Sequence, residues 1–285
     1  MSEKTIDKLI SFIEIHDEAK KLDITWYGGE PLLAFNSIQK LLNKIRSEIK
    51  IPIQQHSIIT NGYYFDSKVV DFFNEYHLDY IQITLDGNKE RHDSIRKLKG
   101  TGKGTYDTII QNIDNILEKL PKTELHLRIN IDRSNIQHFF DAINILGNRW
   151  KDKNIVIYPG ILRIENETKT DNACNAMSRW EIAEFMYTIG TNKTLDFPIY
   201  PTLNCSKGCC ATRVYSYIIG PEGEIYKCWN DVSNKESIIG YIDQKKLSNH
   251  SLLYNYLVGS KWYYEKIFML VLSLIFKYFF IFWKK

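Results

Sequence analysis

Asp23-Ile24-Thr25-Trp26-Tyr27-Gly28-Gly29-Glu30-Pro31-Leu32-Leu33 is an apolar, β-branched run that stops on two glycines, a carboxylate and a proline. The pattern is that of a strand whose end meets a ligand. Two residues without Cβ let the chain turn sharply and bring its carbonyl oxygens within reach of a ligand amine. Glu30 adds a negative charge beside them, and Pro31 fixes φ and ends the strand. An ordinary tight turn would read the same way from these residues alone, so the rest of the chain has to discriminate.

Outward from this stretch the chain alternates. Helical periodicity near residues 3–20 precedes it, and a helical stretch near 36–49 leads to Ser57-Ile58-Ile59-Thr60-Asn61-Gly62. Helical periodicity near 67–77 leads to Tyr80-Ile81-Gln82-Ile83-Thr84-Leu85-Asp86-Gly87, which is followed by a polar loop and a helix near 105–119. The strand Leu125–Ile131, a helix near 135–149, the strand Asn154–Leu162 and a helix near 178–190 complete the series. Five strands at βα spacing predict parallel βαβ units wound into a sheet or barrel. Gly28-Gly29-Glu30, Thr60-Asn61-Gly62 and Asp86-Gly87 all fall at C-terminal strand ends, where such folds gather their ligands.

The 285 residues carry 37 Lys+Arg and 34 Asp+Glu, a net charge of +3, with the basic residues scattered rather than clustered. Nucleic acid binding therefore has no electrostatic footprint. The first residues, Ser-Glu-Lys-Thr-Ile-Asp-Lys-Leu after Met1, place charges where a signal peptide would carry its apolar core, so a cytoplasmic location is expected. Of five cysteines, Cys205, Cys209, Cys210 and Cys228 fall within 24 residues, which fits metal ligands better than a disulfide framework.

Beyond about residue 195 the character changes to Pro198, Pro201, the cysteine group and a hairpin over Tyr215–Cys228 turning at Gly220-Pro221-Glu222-Gly223. The segment Ile267–Trp283 is apolar over 17 residues, broken only by Ser273 and Lys277. It reads as a membrane anchor, a buried helix or an out-of-frame translation. Its shortness for a span favours the last, and a membrane association is not expected.

Three motifs in order, Gly28-Gly29-Glu30-Pro31, Ile83–Gly87 with Arg91-His92-Asp93-Ser94-Ile95-Arg96, and Gly-Pro-Glu-Gly-x-x-Tyr-Lys-Cys ending at Cys228, resemble the radical SAM superfamily. The SPASM-domain peptide maturases are the branch that the motifs resemble most. The resemblance implies an α/β fold, a partial (β/α)6 barrel lacking its first strand, followed by a small β-hairpin iron–sulfur module of the SPASM or twitch type. It divides the chain into barrel residues 1–195, auxiliary module 196–260 and apolar tail 261–285.

By the same resemblance, Gly28, Gly29 and Glu30 hold the amino group of S-adenosylmethionine, and Thr84 and Arg96 contact that cofactor. Arg96 offers a planar fork suited to the methionine carboxylate or ribose oxygens; a solvated loop cation among Arg91, Lys97 and Lys99 is the alternative. Cys205, Cys210 and Cys228 would ligate an auxiliary [4Fe-4S] cluster, with Cys209 a spare or alternative ligand and Cys174 an incidental thiol. The implied reaction is hydrogen abstraction from a residue of a ribosomally made precursor peptide by a 5′-deoxyadenosyl radical, followed by thioether or carbon–carbon cross-linking. Anaerobic sulfatase maturation is the neighbouring alternative, disfavoured because Trp229 stands where that branch places an acidic residue after the hairpin cysteine.

The chain departs from the family at both ends. No C-x-x-x-C-x-x-C precedes Gly28, and no cysteine follows Cys228. A fragment or frame-shifted product, or a non-catalytic pseudo-enzyme that binds a peptide, is expected on that ground.

Overall fold

The computed structural model describes residues 1–15, 19–162, 175–191, 211 and 216–244. Chain order is α1 (Glu3–Glu14), β1 (Leu22–Trp26), α2 (Phe35–Glu48), β2 (Ile53–Thr60), α3 (Ser67–Glu75), β3 (Tyr80–Leu85), α4 (Lys89–Ile95), α5 (Tyr106–Lys119), β4 (Glu124–Ile131), α6 (Ile136–Arg149), β5 (Ile155–Ile161) and α7 (Arg179–Thr191). Three short strands follow, β6 (Ile218–Ile219), β7 (Glu224–Tyr226) and β8 (Gly240–Tyr241).

The larger sheet has five strands in the order β1-β2-β3-β4-β5, and the pairs β2–β3, β3–β4 and β4–β5 are parallel. Spatial order that follows chain order, with no reversal, is the winding of a barrel rather than of a doubly wound sheet. The α/β fold and the partial barrel expected from the sequence are therefore present.

The described residues cluster into two compact units, one of those in Met1–Trp26, Leu33–His56 and beyond 203, the other of those in Tyr27–Leu32 and Ser57–Leu203. In the first, Ser2 caps α1, its Oγ accepting from Thr5 N at 3.1 Å. The buried stripe Ile6, Leu9, Ile10 and Ile13 faces inward, and Lys44 Nζ of α2 pairs with Asp7 of α1 at 2.9 Å. The hairpin forms as expected, with Ile218 opposite Tyr226 and Ile219 opposite Ile225. Its turn closes through Gly220 N to Glu224 O at 2.8 Å, and Gly223 sits at φ +94° with Ile242 against its Cα. The third strand, β8, is two residues long, too short for any periodicity to announce it. Lys8 Nζ of α1 donates to Asp243 just beyond β8 at 2.5 Å.

In the second unit the two faces of the sheet differ in kind. Ile81, Ile83, Leu85, Leu125, Leu127, Ile129 and Ile131 are almost completely buried, on the face covered by Val70 and Phe73 of α3, Ile109, Ile113 and Ile116 of α5 and Phe139 and Leu146 of α6. Burial of each such side chain contributes roughly 1.5–3 kcal/mol, so this face carries the stability. The opposite face alternates with it and presents Tyr80, Gln82, Thr84, His126, Arg128 and Asn130, all half-buried. Alternation thus sends every polar residue of β3 and β4 to one side.

The sequence reading differs from the structure at two elements. The first helix ends at Glu14. The segment after Gly87, read as a polar loop, contains α4: Asn88 is its N-cap, accepting from Arg91 N at 3.1 Å, a signal submerged in a run of charged residues too short to show a period.

Candidate active site

The Gly-Gly-Glu-Pro loop is tied down by its carboxylate. Glu30 Oε1 accepts from Thr60 Oγ1 at 2.7 Å and from Leu32 N at 3.1 Å, and Oε2 accepts from Asn61 N at 2.8 Å. Glu30 therefore clamps the loop onto the end of β2, and its negative charge is shared with in-chain donors. Gly28 adopts φ +146°, a conformation that L side chains rarely reach, while Gly29 has no positive φ, and a Cβ at either would meet open space. Neither backbone strain nor packing explains the second glycine.

Gly62 is a different case. It sits at φ +80°, and a Cβ there would lie 2.9 Å from Ile83 Cγ2, so the Asn61-Gly62 turn is a structural necessity. Asn112 Nδ2 holds it from α5, donating to Gly62 O and Tyr63 O, both at 2.9 Å.

At the next strand end, Asp86 is buried and accepts from Arg96 Nε and from Asn130 Nδ2, the latter at 2.8 Å. Burial pushes its carboxyl pKa up, but the Arg96 and Asn130 hydrogen bonds and the Arg96 charge outweigh that and hold it below the usual value. His92 is fully buried: Nδ1 accepts from Asp86 N at 3.2 Å and Nε2 donates to Thr105 Oγ1 at 3.0 Å, which in turn donates to Arg96 O at 3.2 Å. Burial lowers the His92 pKa, so the ring is neutral. Asp93 Oδ1 accepts from Thr105 N and Tyr106 N at 2.8 and 2.9 Å, capping α5, and Gly104 is required because a Cβ would sit 2.2 Å from that carboxylate. The His-Asp pair thus fixes the loop that carries Arg96. Arg96 itself is pinned through Nε alone, and its two terminal nitrogens make no hydrogen bond among the described residues.

Thr60 at the end of β2 pairs in register with Ile83, the residue before Thr84. The Glu30 clamp and the Thr84–Asp86–Arg96 segment therefore occupy adjacent strand ends on the same edge. Thr84 is half-buried, on the polar face, and its hydroxyl has no partner among the described residues. Gly28, Gly29, Glu30, Thr84 and Arg96 are all in one compact unit. Asn130 carries no signal in the sequence, and His92 stands in the quoted motif without an assigned role; each acts through contacts to Asp86, 44 and 6 residues away, and only the first is a tertiary partner that no local pattern could show.

Below this edge the polar face continues. Gln82 Oε1 accepts from Tyr158 OH at 2.8 Å and Tyr80 OH at 3.2 Å, and His126 packs between Tyr80 and Tyr158 with ring centroids 4.5 and 5.9 Å away.

Cys228, two residues beyond the end of β7, is a half-buried free thiol. The preceding Lys227 is buried, donating from Nζ to Ser216 O at 2.5 Å and lying 4.6 Å from the Tyr217 ring centroid. Cys205, Cys210, Cys209 and Cys174 lie outside the described residues, as does the apolar stretch 267–283. Among the described residues there is no group of three or more His, Cys, Asp or Glu placed to hold a metal, and no helix long and apolar enough to cross a membrane.

The sequence profile of the radical SAM superfamily matches residues 1–144, half of the chain, and the chain belongs to that superfamily. Over 107 residues it is 29% identical to the radical SAM cyclopropyl synthase TigE of Paramaledivibacter caminithermalis, a match covering 34% of this chain and 21% of that protein. It is 28% identical over 107 residues to the Fe-coproporphyrin III synthase of Methanosarcina barkeri, covering 38% and 25%. The matched segment thus spans a fifth to a quarter of these relatives. The fold is shared with anSMEcpe bound to AdoMet, at TM-score 0.68 and 16% identity over 90% of this chain and 73% of that one. It is shared also with Streptococcus suis SuiB bound to S-adenosylmethionine, at TM-score 0.53 and 12% identity over 90% and 59%.

Membership of the superfamily implies S-adenosylmethionine and a [4Fe-4S] cluster. The residues at the strand ends fit the first: an unexplained glycine with open space, an unbonded hydroxyl and a guanidinium with a free fork. The cluster does not find its usual ligands here, since the 285 residues contain no C-x-x-x-C-x-x-C.

Proposed function

We propose that the chain is the S-adenosylmethionine-binding part of a radical SAM enzyme that modifies a ribosomally made precursor peptide. The observation that carries the cofactor part is the pairing of adjacent strand ends. Glu30 locks Gly28-Gly29 onto β2, and one strand over Asp86 holds Arg96 by Nε with its fork free. Carbonyls of the glycine loop suit the cofactor's ammonium, and the Arg96 fork and Thr84 hydroxyl suit its carboxylate or ribose. Bound to a reduced cluster, that cofactor supplies a 5′-deoxyadenosyl radical. What these residues do is bind and orient it.

Peptide modification is supported by the relatives: SuiB is known bound to a precursor peptide, SuiA, and anSMEcpe bound to peptides. On this reading residues 1–195 form the barrel, 196–260 an auxiliary SPASM or twitch module in which Cys205, Cys210 and Cys228 bind iron, and 261–285 a separate tail in a cytoplasmic protein. Trp229 after the hairpin cysteine favours cross-linking over sulfatase maturation. A second reading is a pseudo-enzyme that binds peptide without radical chemistry.

Isothermal titration of the full chain with S-adenosylmethionine tests the cofactor reading. Binding that is lost in Arg96→Ala and kept in a surface control such as Lys99→Ala supports it; a wild-type chain that takes up no cofactor overturns it. Anaerobic reconstitution with iron and sulfide separates the two readings, since a pseudo-enzyme binds peptide but cleaves no cofactor.

A further inference from the structure

One cation on the polar face has no counter-ion among the described residues. Arg128 of β4 stands in register between Thr84 of β3 and Tyr158 of β5, and no hydrogen bond or ion pair reaches it among those residues. Its Nε is buried without a partner, as is Oδ1 of Asn130, its neighbour two residues on. The acids of this face are taken: Glu124 pairs with His126, and Asp86 with Arg96 and Asn130.

The stem of Arg128 has a built seat. A Cβ at Gly160 would fall 2.1 Å from Arg128 Nε and 2.9 Å from its Cγ, so the side chain lies across the bare Cα of Gly160 on β5. Gly160 has no positive φ, hence the glycine serves this passage and not a turn. Arg128 therefore leans toward β5, away from Thr84 on β3 and from the β2 and β3 ends at which Glu30 and Arg96 are held. Its charge also reaches Tyr80 and Tyr158, opposing the rise that burial gives both hydroxyl pKa values.

A half-buried guanidinium with nothing opposite it is costly, and a planar fork is matched by a carboxylate in two parallel hydrogen bonds. We infer that Arg128, seated on Gly160, is a binding site for a carboxylate of the substrate peptide, an acidic side chain or a C-terminus, separate from the cofactor residues. The inference rests on the peptide-modifying reading for the identity of the ligand, though not for the site.

The test is nuclear magnetic resonance of the full chain labelled with 15N-arginine, the Arg128 Nε–H signal being assigned by its loss in Arg128→Gln. N-acetylglutamate α-amide reports a side-chain carboxylate, N-acetylglycine a terminal one, and N-acetylglutamine α-amide is the neutral control. Either acid should shift the Arg128 signal saturably and the control should not, and which acid does so tells the two peptide sources apart. Gly160→Ala keeps the charge but removes the seat, and should weaken the response at least tenfold in a protein whose circular dichroism matches the wild type. S-adenosylmethionine should leave the signal in place, and its affinity should be unchanged in Arg128→Gln. No shift with either acid overturns the inference, and so does an Arg128 signal moved by S-adenosylmethionine with loss of cofactor affinity in Arg128→Gln. A chain that binds no S-adenosylmethionine yet responds to the acids sinks the cofactor reading and leaves this site standing.

Discussion

Glu30 accepts a hydrogen bond from Thr60 Oγ1 at 2.7 Å, so the loop after one strand is fastened by its carboxylate to the end of the next. With Asn61 N and Leu32 N on the same carboxylate, three donors share one charge. Removing it leaves buried donors without an acceptor, which costs about 1–3 kcal/mol. Glu30→Ala is expected to lower unfolding stability by that amount in urea titrations, Thr60→Val by less. A double-mutant cycle should show the two losses to be strongly non-additive.

The two glycines of the loop should separate. Gly28→Ala forces a side chain into φ +146° and is expected to cost about 1 kcal/mol or more. Gly29→Ala meets no atom within 4 Å and should leave the melting temperature close to that of the wild type. Its effect belongs to ligand binding, where affinity for S-adenosylmethionine should fall by about tenfold or more, equivalent to about 1.4 kcal/mol. A Gly29→Ala protein that binds as well as wild type removes the ligand as the reason for that glycine.

Acidification should destabilise the second unit in two stages. His92 is neutral in the fold because burial holds its pKa below the ordinary 6.5. Its contribution is complete above pH 6.5 and is lost as the pH falls below that, where the unfolded chain takes up a proton first. Asp86, held below 3.8 by Arg96 and Asn130 against burial, contributes fully above that pH and loses its contribution beneath it. Melting temperatures measured from about pH 8 down to about pH 5 should decline for wild type and decline less steeply for His92→Gln.

Asp93 caps α5 from outside the helix, through Thr105 N and Tyr106 N. Asp93→Ala is expected to cost about 1 kcal/mol. Because the same loop aims Arg96, it should also weaken S-adenosylmethionine binding while Arg96 remains. Titration calorimetry beside urea unfolding would detect both effects.

On the proposed auxiliary-cluster reading, Cys228, a half-buried free thiol, supplies one of the thiolates. After anaerobic reconstitution, Cys228→Ser, Cys205→Ser and Cys210→Ser should each lower bound iron and the visible iron–sulfur absorbance, whereas Cys174→Ser should not. Equal iron in all four proteins removes the auxiliary site.

Local sequence was sufficient for the βα alternation, the five strands and the glycine-marked strand ends, because each is written in residues close along the chain: β-branched runs such as Ser57–Thr60, breakers such as Gly62 and Gly87, and periods of two and about 3.6. It also marked Gly28, Gly29 and Arg96 by their motifs, and the hairpin by Gly220–Gly223. Only the tertiary structure decided that Glu30 is a clamp on Thr60, that His92 and Asp93 serve α5 and the Arg96 loop, and that Arg128 crosses Gly160. The first of these joins residues 30 positions apart, and the last joins neighbouring strands. Such contacts join residues on different strands or the loops after them, and alternation along one strand gives each residue's face without naming its partner across the ladder.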